Sequence, residues 1–375
     1  MKTLKTLISL CFVLLSLTIL AQNIEIYVSD AGNWNNSPWQ ILKFDENGEN
    51  PEVFIDDDDS ILVWPQDIVF LEDQEVVLIS NLTTPGYISK HDIATGEFVD
   101  YFAENIAGPT RMKIGADNLL YVLQWSNSDN KVLRYQLDGT FVDEFTSNGV
   151  PQSIGLDWDV LGNLYVSSYG GKYVQKFGPD GNDMGTFIGS NLAGPTNIWF
   201  DENGDLLVVD YNNGSVKRFD QDGAYINKYI SGLNYPEGVA FYPDGSMLLG
   251  NGGTGAVKLF DDQGTFIEDF VAPGLGDLLT PNAVVIRNVT PVNINKIPSK
   301  EKFITPTMGR VFIVNPKLSN SYNTFKIFSM SGVLMAQQEI AENGNFNATL
   351  FPRGTYIVLA KGKTGNTISQ KIVVK

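Results

Sequence analysis

The chain has 375 residues, 43% of them hydrophobic and 18% charged, with a formal net charge of −17; this composition excludes an intrinsically disordered chain and a multi-span membrane protein. Thirty-six glycines, 17 prolines and an 11% aromatic share point to all-β structure with many turns. Residues 22–289 hold 13 Lys/Arg against 40 Asp/Glu and residues 290–375 hold 11 against 3, so the larger part would repel nucleic-acid phosphates and anionic lipid, and no nucleic-acid partner is expected.

Residues 1–21 read as a signal peptide. Lys2 and Lys5 precede the apolar run "LISLCFVLLSLTIL" (7–20), and Ala21 supplies the small residue at the cut. The run is short for a membrane span, and no later segment approaches the required length. Cys11 is the chain's one cysteine and lies inside this run, behind Leu10 rather than behind the small residue a lipoprotein site needs. The mature chain is then cysteine-free, which excludes disulfides and thiolate metal sites.

From 22 to 289 the sequence repeats. Prolines at 65, 109, 151, 195, 236 and 281 open "PQDIVF", "PTRMKI", "PQSIGL", "PTNIWF", "PEGVAF" and "PNAVVI", spaced by 44, 42, 44, 41 and 45 residues. A second landmark recurs at the same period: "LKFDENG" (42–48), "SKHDIATG" (89–96), "LRYQLDG" (133–139), "QKFGPDG" (175–181), "KRFDQDG" (217–223) and "KLFDDQG" (258–264). Each unit divides into four short strands separated by Asp/Asn-Gly turns, whose residues tolerate the positive φ of tight hairpins. The fifth unit reads "TNIWF" (196–200), "LLVVD" (206–210), "SVKRF" (215–219) and "AYINKYI" (224–230). "IEIYVSD" (24–30) occupies a second-strand position and "PNAVVIRN" (281–288) a first-strand position with nothing after it. Joining them completes a sixth unit, so the expectation is a six-bladed β-propeller closed by its own ends.

The stretch "GPTNIWFDENGDLLVVDYNNGSVKRFDQDG" (194–223) resembles an NHL-type propeller repeat, and the resemblance extends over all six units. It implies an architecture and leaves function open, because one ring carries many activities.

After a polar linker (290–302), residues 303–375 alternate β-branched and aromatic residues with Gly turns, predicting a small β-sandwich. "VNP" (314–316), "FKIFSMSGVLM" (325–335), "PRGTYIVLAKGK" (352–363) and the basic ending "KIVVK" (371–375) resemble the C-terminal sorting domain of type IX secretion cargo in Bacteroidetes. That resemblance implies the type IX machinery as a partner, passage through the outer membrane and a secreted or surface-held ring. An accessory β-module that binds a partner or carbohydrate is the alternative.

In a propeller the first strands line a central channel. The residues that follow the repeat prolines, Gln66, Asp67, Arg111, Gln152, Asn197, Glu237 and Asn282 among them, are therefore the candidate ligand rim. "PEGVAF" and "PNAVVI" are similar in type and place to ligand-bearing segments of six-bladed gluconolactonase-like enzymes. This implies a divalent cation such as Ca²⁺ held by Glu237 and Asn282, with Asp67 or Asn197 completing an oxygen shell, and lactone hydrolysis as an activity. The sequence departs from that pattern in offering one carboxylate among the residues directly after the prolines and in placing Arg111 beside the ion.

The single His91 takes the slot held by Phe44, Tyr135, Phe177, Phe219 and Phe260 in sibling units, which makes it a packing residue and argues against His-dependent lyase or zinc chemistry. The run Asp56–Asp59 reads as a solvated loop, because it lacks the alternate ligand spacing and the glycine of a calcium loop. Trp34 and Trp39 share the polar loop "GNWNNSPW" (32–39), a candidate glycan or protein contact, with packing between units as the other reading. Two functions therefore stand: a non-catalytic propeller binding a protein or glycan ligand through its loop rim, and a cation-dependent lactonase-like hydrolase with its site at the channel mouth.

Overall fold

The structure, a computed structural model, describes residues 23–34, 36–57, 60–289, 302–315, 322–329, 334–339, 345–349, 351–362 and 367–375. The predicted signal peptide, residues 290–301 of the predicted linker, and Asp58 and Asp59 of the acidic run lie outside the described residues. No helix among the described residues is long and apolar enough to cross a membrane. The chain divides into two compact units, one spanning Asn23–Val289 and the other containing the C-terminal strands.

The first unit is built from six four-stranded antiparallel sheets. Sheet I joins Pro281–Val289 to Asn23–Asp30, Gln40–Phe44 and Glu52–Ile55. Sheet II is Pro65–Leu71, Val76–Asn81, Gly86–Asp92 and Phe98–Ile106; sheet III is Pro109–Ile114, Leu120–Gln124, Leu133–Tyr135 and Phe141–Glu144. Sheet IV is Ser153–Trp158, Leu164–Ser168, Tyr173–Phe177 and Asp183–Ile188; sheet V is Pro195–Phe200, Leu206–Asp210, Ser215–Phe219 and Tyr225–Ile230. Sheet VI is Pro236–Phe241, Met247–Asn251, Ala256–Phe260 and Phe266–Val271. In each sheet the first strand, opened by the repeat proline except in sheet IV where it starts at Ser153, is an edge, and these six edge strands touch one another in a closed cycle, II to III to IV to V to VI to I and back to II.

Sheet I supplies the closure. Asn23–Asp30 runs antiparallel to Pro281–Val289, with Ile26 opposite Ile286 and Val28 opposite Val284. The strand edges at the two ends of the repeat region are thereby paired with each other instead of facing water.

Burial explains the strand composition. Second strands such as "LLVVD" are buried along their whole length because a neighbouring sheet covers each face, whereas fourth strands such as Tyr225–Ile230 are mostly exposed. The apolar core forms six layers, one between each pair of adjacent sheets. Tyr165, Val174 and Ile188 of sheet IV, for example, pack against Ile198, Val208 and Phe219 of sheet V. The recurrent Asp-x-x-Gly turn has a packing reason as well as a conformational one. Gly223 sits at φ 79°, and a Cβ there would lie 2.2 Å from the carbonyl oxygen of Phe187 in the preceding sheet.

The C-terminal unit holds a five-stranded sheet, ordered Met308–Gly309, Thr367–Val374, Gly354–Gly362, Tyr322–Ser329, Leu334–Glu339, and a three-stranded sheet of Ile304–Thr305, Val311–Val314 and Asn345–Asn347. The two share one apolar cluster: Phe312, Val314 and Phe346 from the smaller sheet meet Phe325, Ile327, Tyr356, Val358 and Ile372 from the larger.

Ile26 is fully buried in the layer between sheets VI and I. Ile26→Ala should destabilise the whole ring by about 2–5 kcal/mol, seen in denaturant unfolding as one shifted transition. A separate early transition would show that sheet I unfolds independently of the other five.

Candidate functional site

The loop leading into each Pro-led strand is tethered by the last residue of the second strand in the same sheet. That residue is Asp30, Asn81, Gln124, Ser168, Asp210 or Asn251, and all six are buried. Asp30 Oδ1 accepts from Thr280 N at 2.8 Å, Asn81 Oδ1 from Val63 N at 2.8 Å and Gln124 Oε1 from Ala107 N at 3.1 Å. Asp210 Oδ1 accepts from Ala193 N and Gly194 N at 2.9 and 2.8 Å, and Asn251 Oδ1 from Asn234 N at 2.7 Å. Ser168 reverses the direction, its hydroxyl donating to Pro151 O at 2.6 Å. These residues satisfy loop backbone groups that would otherwise be buried without a partner. In sheet V the carboxylate is also bound by buried Lys217, 2.6 Å from Nζ to Oδ2. These tethers are absent from the sequence expectations because the position is filled by four residue types.

With the strand starts so held, the predicted rim residues converge on one side chain. Arg111, 5% exposed, extends from sheet III into the channel. Its Nε donates to Asn197 Oδ1 at 3.0 Å, one terminal nitrogen donates to the carbonyl of Gln66, and the other reaches Glu237 Oε1 at 2.8 Å and Asn282 O at 2.6 Å. Asn197 Nδ2 then donates to Glu237 O at 2.7 Å, and Asn282 Nδ2 to Pro65 O at 3.2 Å. Sheets I, II, III, V and VI are thus tied together through one guanidinium, whose planar fork suits several acceptors at once.

Asp67 lies beside this network. Its Oδ2 accepts from Met112 N at 2.7 Å and its Oδ1 from Ile68 N at 2.9 Å. Burial pushes the carboxyls of both Asp67 and Glu237 above their ordinary range, with Arg111 pulling the other way. Asp67, Arg111 and Asn197 form the polar side of a cavity of about 230 Å³ whose other walls include Leu156, Val239 and Val284. Gln152 does not join them. It stands in a turn ahead of its strand at φ 50°, with its side chain against Gly170 at the mouth.

The four oxygen-bearing residues expected around a cation are therefore brought together, but around a guanidinium. Two of the expected ligand atoms, on Asn197 and Glu237, are engaged by Arg111, so the residues as arranged do not fit a divalent ion at that point. Among the described residues no cluster of three or more His, Cys, Asp or Glu is placed to hold a metal.

His91 is buried in the aromatic slot of its unit. Its Nδ1–H donates to Gly96 O at 2.9 Å, and its Nε2 accepts from the hydroxyl of Ser89 at 2.9 Å. Burial lowers its pKa, so it is held neutral.

The mouth nearest the tethered loops carries aromatic rings. Immediately after the second strands of sheets III, IV and V stand Trp125, Tyr169 and Tyr211, and Tyr235 precedes the Pro-led strand of sheet VI. Ring centroids lie 5.6 Å apart for Trp125 and Tyr169, 6.0 Å for Tyr169 and Tyr211, and 5.1 Å for the stacked pair Tyr211 and Tyr235. Trp34 approaches this row from sheet I, its side chain acting on the Tyr211 hydroxyl, and Trp39 Nε1 braces it by donating to Trp34 O at 2.8 Å. Trp34 and Tyr235 are 47% and 44% exposed. Both hold left-handed backbone, at φ 58° and 49°, which costs a bulky residue on the order of 1–3 kcal/mol. The predicted Trp34–Trp39 loop is thus part of a larger row that the sequence reading did not assemble. An aromatic at the same place in three successive units was the signal available.

Solved structures match the ring. One, from a nidogen/laminin complex, aligns with a TM-score of 0.57 at 16% identity, over 72% of this chain and 99% of that one. A protein of unknown function from Bacteroides caccae aligns at 0.55 and 13% identity, over 70% and 98%. The fold is propeller-like and all-β. A candidate gluconolactonase aligns with a TM-score of 0.46 at 14% identity, over 68% of this chain and 86% of that one. No family model and no curated protein matches the chain.

Two measurements probe this centre. Arg111→Met leaves Glu237 buried without its partner and should cost about 3–5 kcal/mol, while the double variant Arg111→Met/Glu237→Gln recovers part of the loss; equal losses would show that the pair is not coupled. For His91 the folded-state pKa lies below the unfolded one, so the unfolded chain binds more protons as pH falls through that window and stability drops. Wild-type protein should therefore lose melting temperature on acidification through the histidine range more steeply than His91→Phe; parallel curves would remove His91 from the account.

Proposed function

We propose that this chain is an exported, non-catalytic binding protein whose six sheets are the six blades of one NHL-like ring. Its ligand, a protein or a glycan, docks on the loop rim at the aromatic mouth. The observation that carries this reading is Arg111. The channel position where a hydrolase would keep a reactive ion or water is filled by a guanidinium that also ties five of the six sheets. A group committed to that much of the scaffold is poorly suited to turnover, whereas a rigid centre surrounded by exposed loops suits recognition.

The proposal extends to both ends of the chain. Residues 1–21 act as a signal peptide, and residues 303–375 form a small β-sandwich that engages the type IX machinery and carries the ring to the cell surface or the medium. The support is the apolar h-region at the start, the ordered motifs near the end, and the reversal of charge between the acidic ring and the basic tail.

Protein recovered from the medium of the producing cells should begin near Gln22 and lack residues 303–375 by intact mass, and elemental analysis should find no stoichiometric divalent ion. It should hydrolyse neither lactones nor esters. A bound ion that Glu237→Gln expels, together with lactone turnover, would replace this reading with the hydrolase; retention of residues 303–375 on the exported form would sink the sorting role.

A further inference from the structure

We propose that the row of Trp125, Tyr169, Tyr211 and Tyr235 is a stacking platform for the sugar rings of a neutral polysaccharide. The inference rests on the binding reading above and names its ligand class.

The first support is geometric. Three successive sheets place an aromatic residue at the same point on the mouth, and the fourth ring, Tyr235, follows in stacked contact. On the remaining sheets the same position holds Ala31, Leu82 and Gly252. The rings therefore line one side of the mouth and not the other, which suits a chain molecule lying across it better than a ligand centred on the axis.

A second support is conformational. The residue just before the first strand is left-handed in sheets II, III, IV and VI, at Trp64, Gly108, Gln152 and Tyr235 (φ 44°, 73°, 50° and 49°); sheet III meets this demand of the loop with glycine, whereas sheet VI keeps a half-exposed tyrosine there at a conformational cost. Trp34 likewise takes left-handed backbone in the loop that reaches Tyr211. Large aromatic residues kept in conformations that favour glycine, and left nearly half exposed, are placed for contact rather than for packing.

Electrostatics select the ligand. Two carboxylates adjoining the row in sequence, Glu237 beside Tyr235 and Asp210 beside Tyr211, are already neutralised, by Arg111 at 2.8 Å and Lys217 at 2.6 Å. A cationic peptide would find no free partner at these groups, and an anionic chain or nucleic acid would be repelled by the acidic ring as a whole. What the row does offer is π-faces edged by hydroxyls and an amide: Tyr169 Oη donates to Asn212 Oδ1 at 3.1 Å, and the exposed Asn212 in turn donates through Nδ2 to Ala193 O at 3.0 Å. An apolar C–H face ringed by hydroxyl groups, the surface of a pyranose, is the complement of that arrangement.

The test uses the full chain in native affinity gels containing mixed-linkage β-glucan, xyloglucan, galactomannan or mannan, with alginate and polygalacturonate as anionic comparators. At least one neutral polymer should retard the protein and the anionic ones should not. Trp125→Ala and Tyr235→Ala, checked for an unchanged melting temperature, should each weaken retardation by about tenfold, while Tyr211→Phe, which keeps the ring, should retain it. No retardation by any neutral polymer, retardation by anionic polymers alone, or binding that survives the Trp125→Ala/Tyr235→Ala double variant would overturn the assignment. The two readings fail separately: a purified protein partner bound equally by the double variant would remove the sugar and leave the rim as a binding surface. Lactone turnover with a bound ion would remove the non-catalytic reading while leaving polymer retardation intact.

Discussion

The pairing of Asn23–Asp30 with Pro281–Val289 is the contact on which the other features of the ring depend. Six sheets packed face to face could continue as an open stack, leaving an apolar face at each end. Because the two ends of the repeat region share sheet I, every apolar layer has two sides and every Pro-led strand has two neighbours. Closure also sets the geometry of the centre. Residues far apart in sequence, such as Gln66 and Asn282, meet at Arg111 only because the last Pro-led strand lies beside the first.

Closure creates a difficulty that Arg111 resolves. Six strand starts bring backbone carbonyls and the carboxylates of Asp67 and Glu237 towards one axis, where low dielectric makes unpaired groups costly. One guanidinium meets two carbonyls, an amide and a carboxylate. Its charge offsets carboxylates that burial would otherwise drive to protonation, which is the opposition seen at both. The acidity of the ring as a whole lies elsewhere. Asp45, Asp159 and Asp220, for example, stand in hairpin turns, each accepting from nearby backbone N–H groups.

Architecture was readable from the sequence because a period is a redundant signal. Repeat prolines and glycine-ended turns each recur six times, and each has a local physical cause: proline stands at or just before the start of an edge strand, and the turn glycine takes a positive φ, in five units against a close carbonyl. The members of the central cluster were readable for the same reason, since the register of the repeat names which residues face the axis. Their chemistry was not. Whether Asn197 and Glu237 surround an ion or a side chain depends on how far Arg111 reaches across the channel, and one residue in one unit carries no period. Gln152 was misplaced because its strand starts at Ser153, two residues after the repeat proline, so the register there slips. The loop tethers escaped notice for the opposite reason, since Asp, Asn, Gln and Ser do the same work and no single letter repeats.

The two ends of that scale, invariant framework and unique residue, separate structure from function in this ring. Features present in all six units answer needs present in all six, namely layer packing, turn geometry and loop tethering. Features that break the sixfold pattern have no such general cause. Arg111 is one, and it is accounted for by the carboxylates it neutralises. The one-sided row of rings at the mouth is another, and neither packing nor closure requires it: the sheets with Ala31, Leu82 and Gly252 at the same position are tethered and closed as well as those with Trp125, Tyr169 and Tyr211. The left-handed backbone at Trp34 and Tyr235 costs each a conformation that glycine takes freely, as Gly108 does just before the first strand of sheet III. On the proposed binding reading, this asymmetry, on a frame that would fold without it, assigns recognition to the mouth rather than the channel.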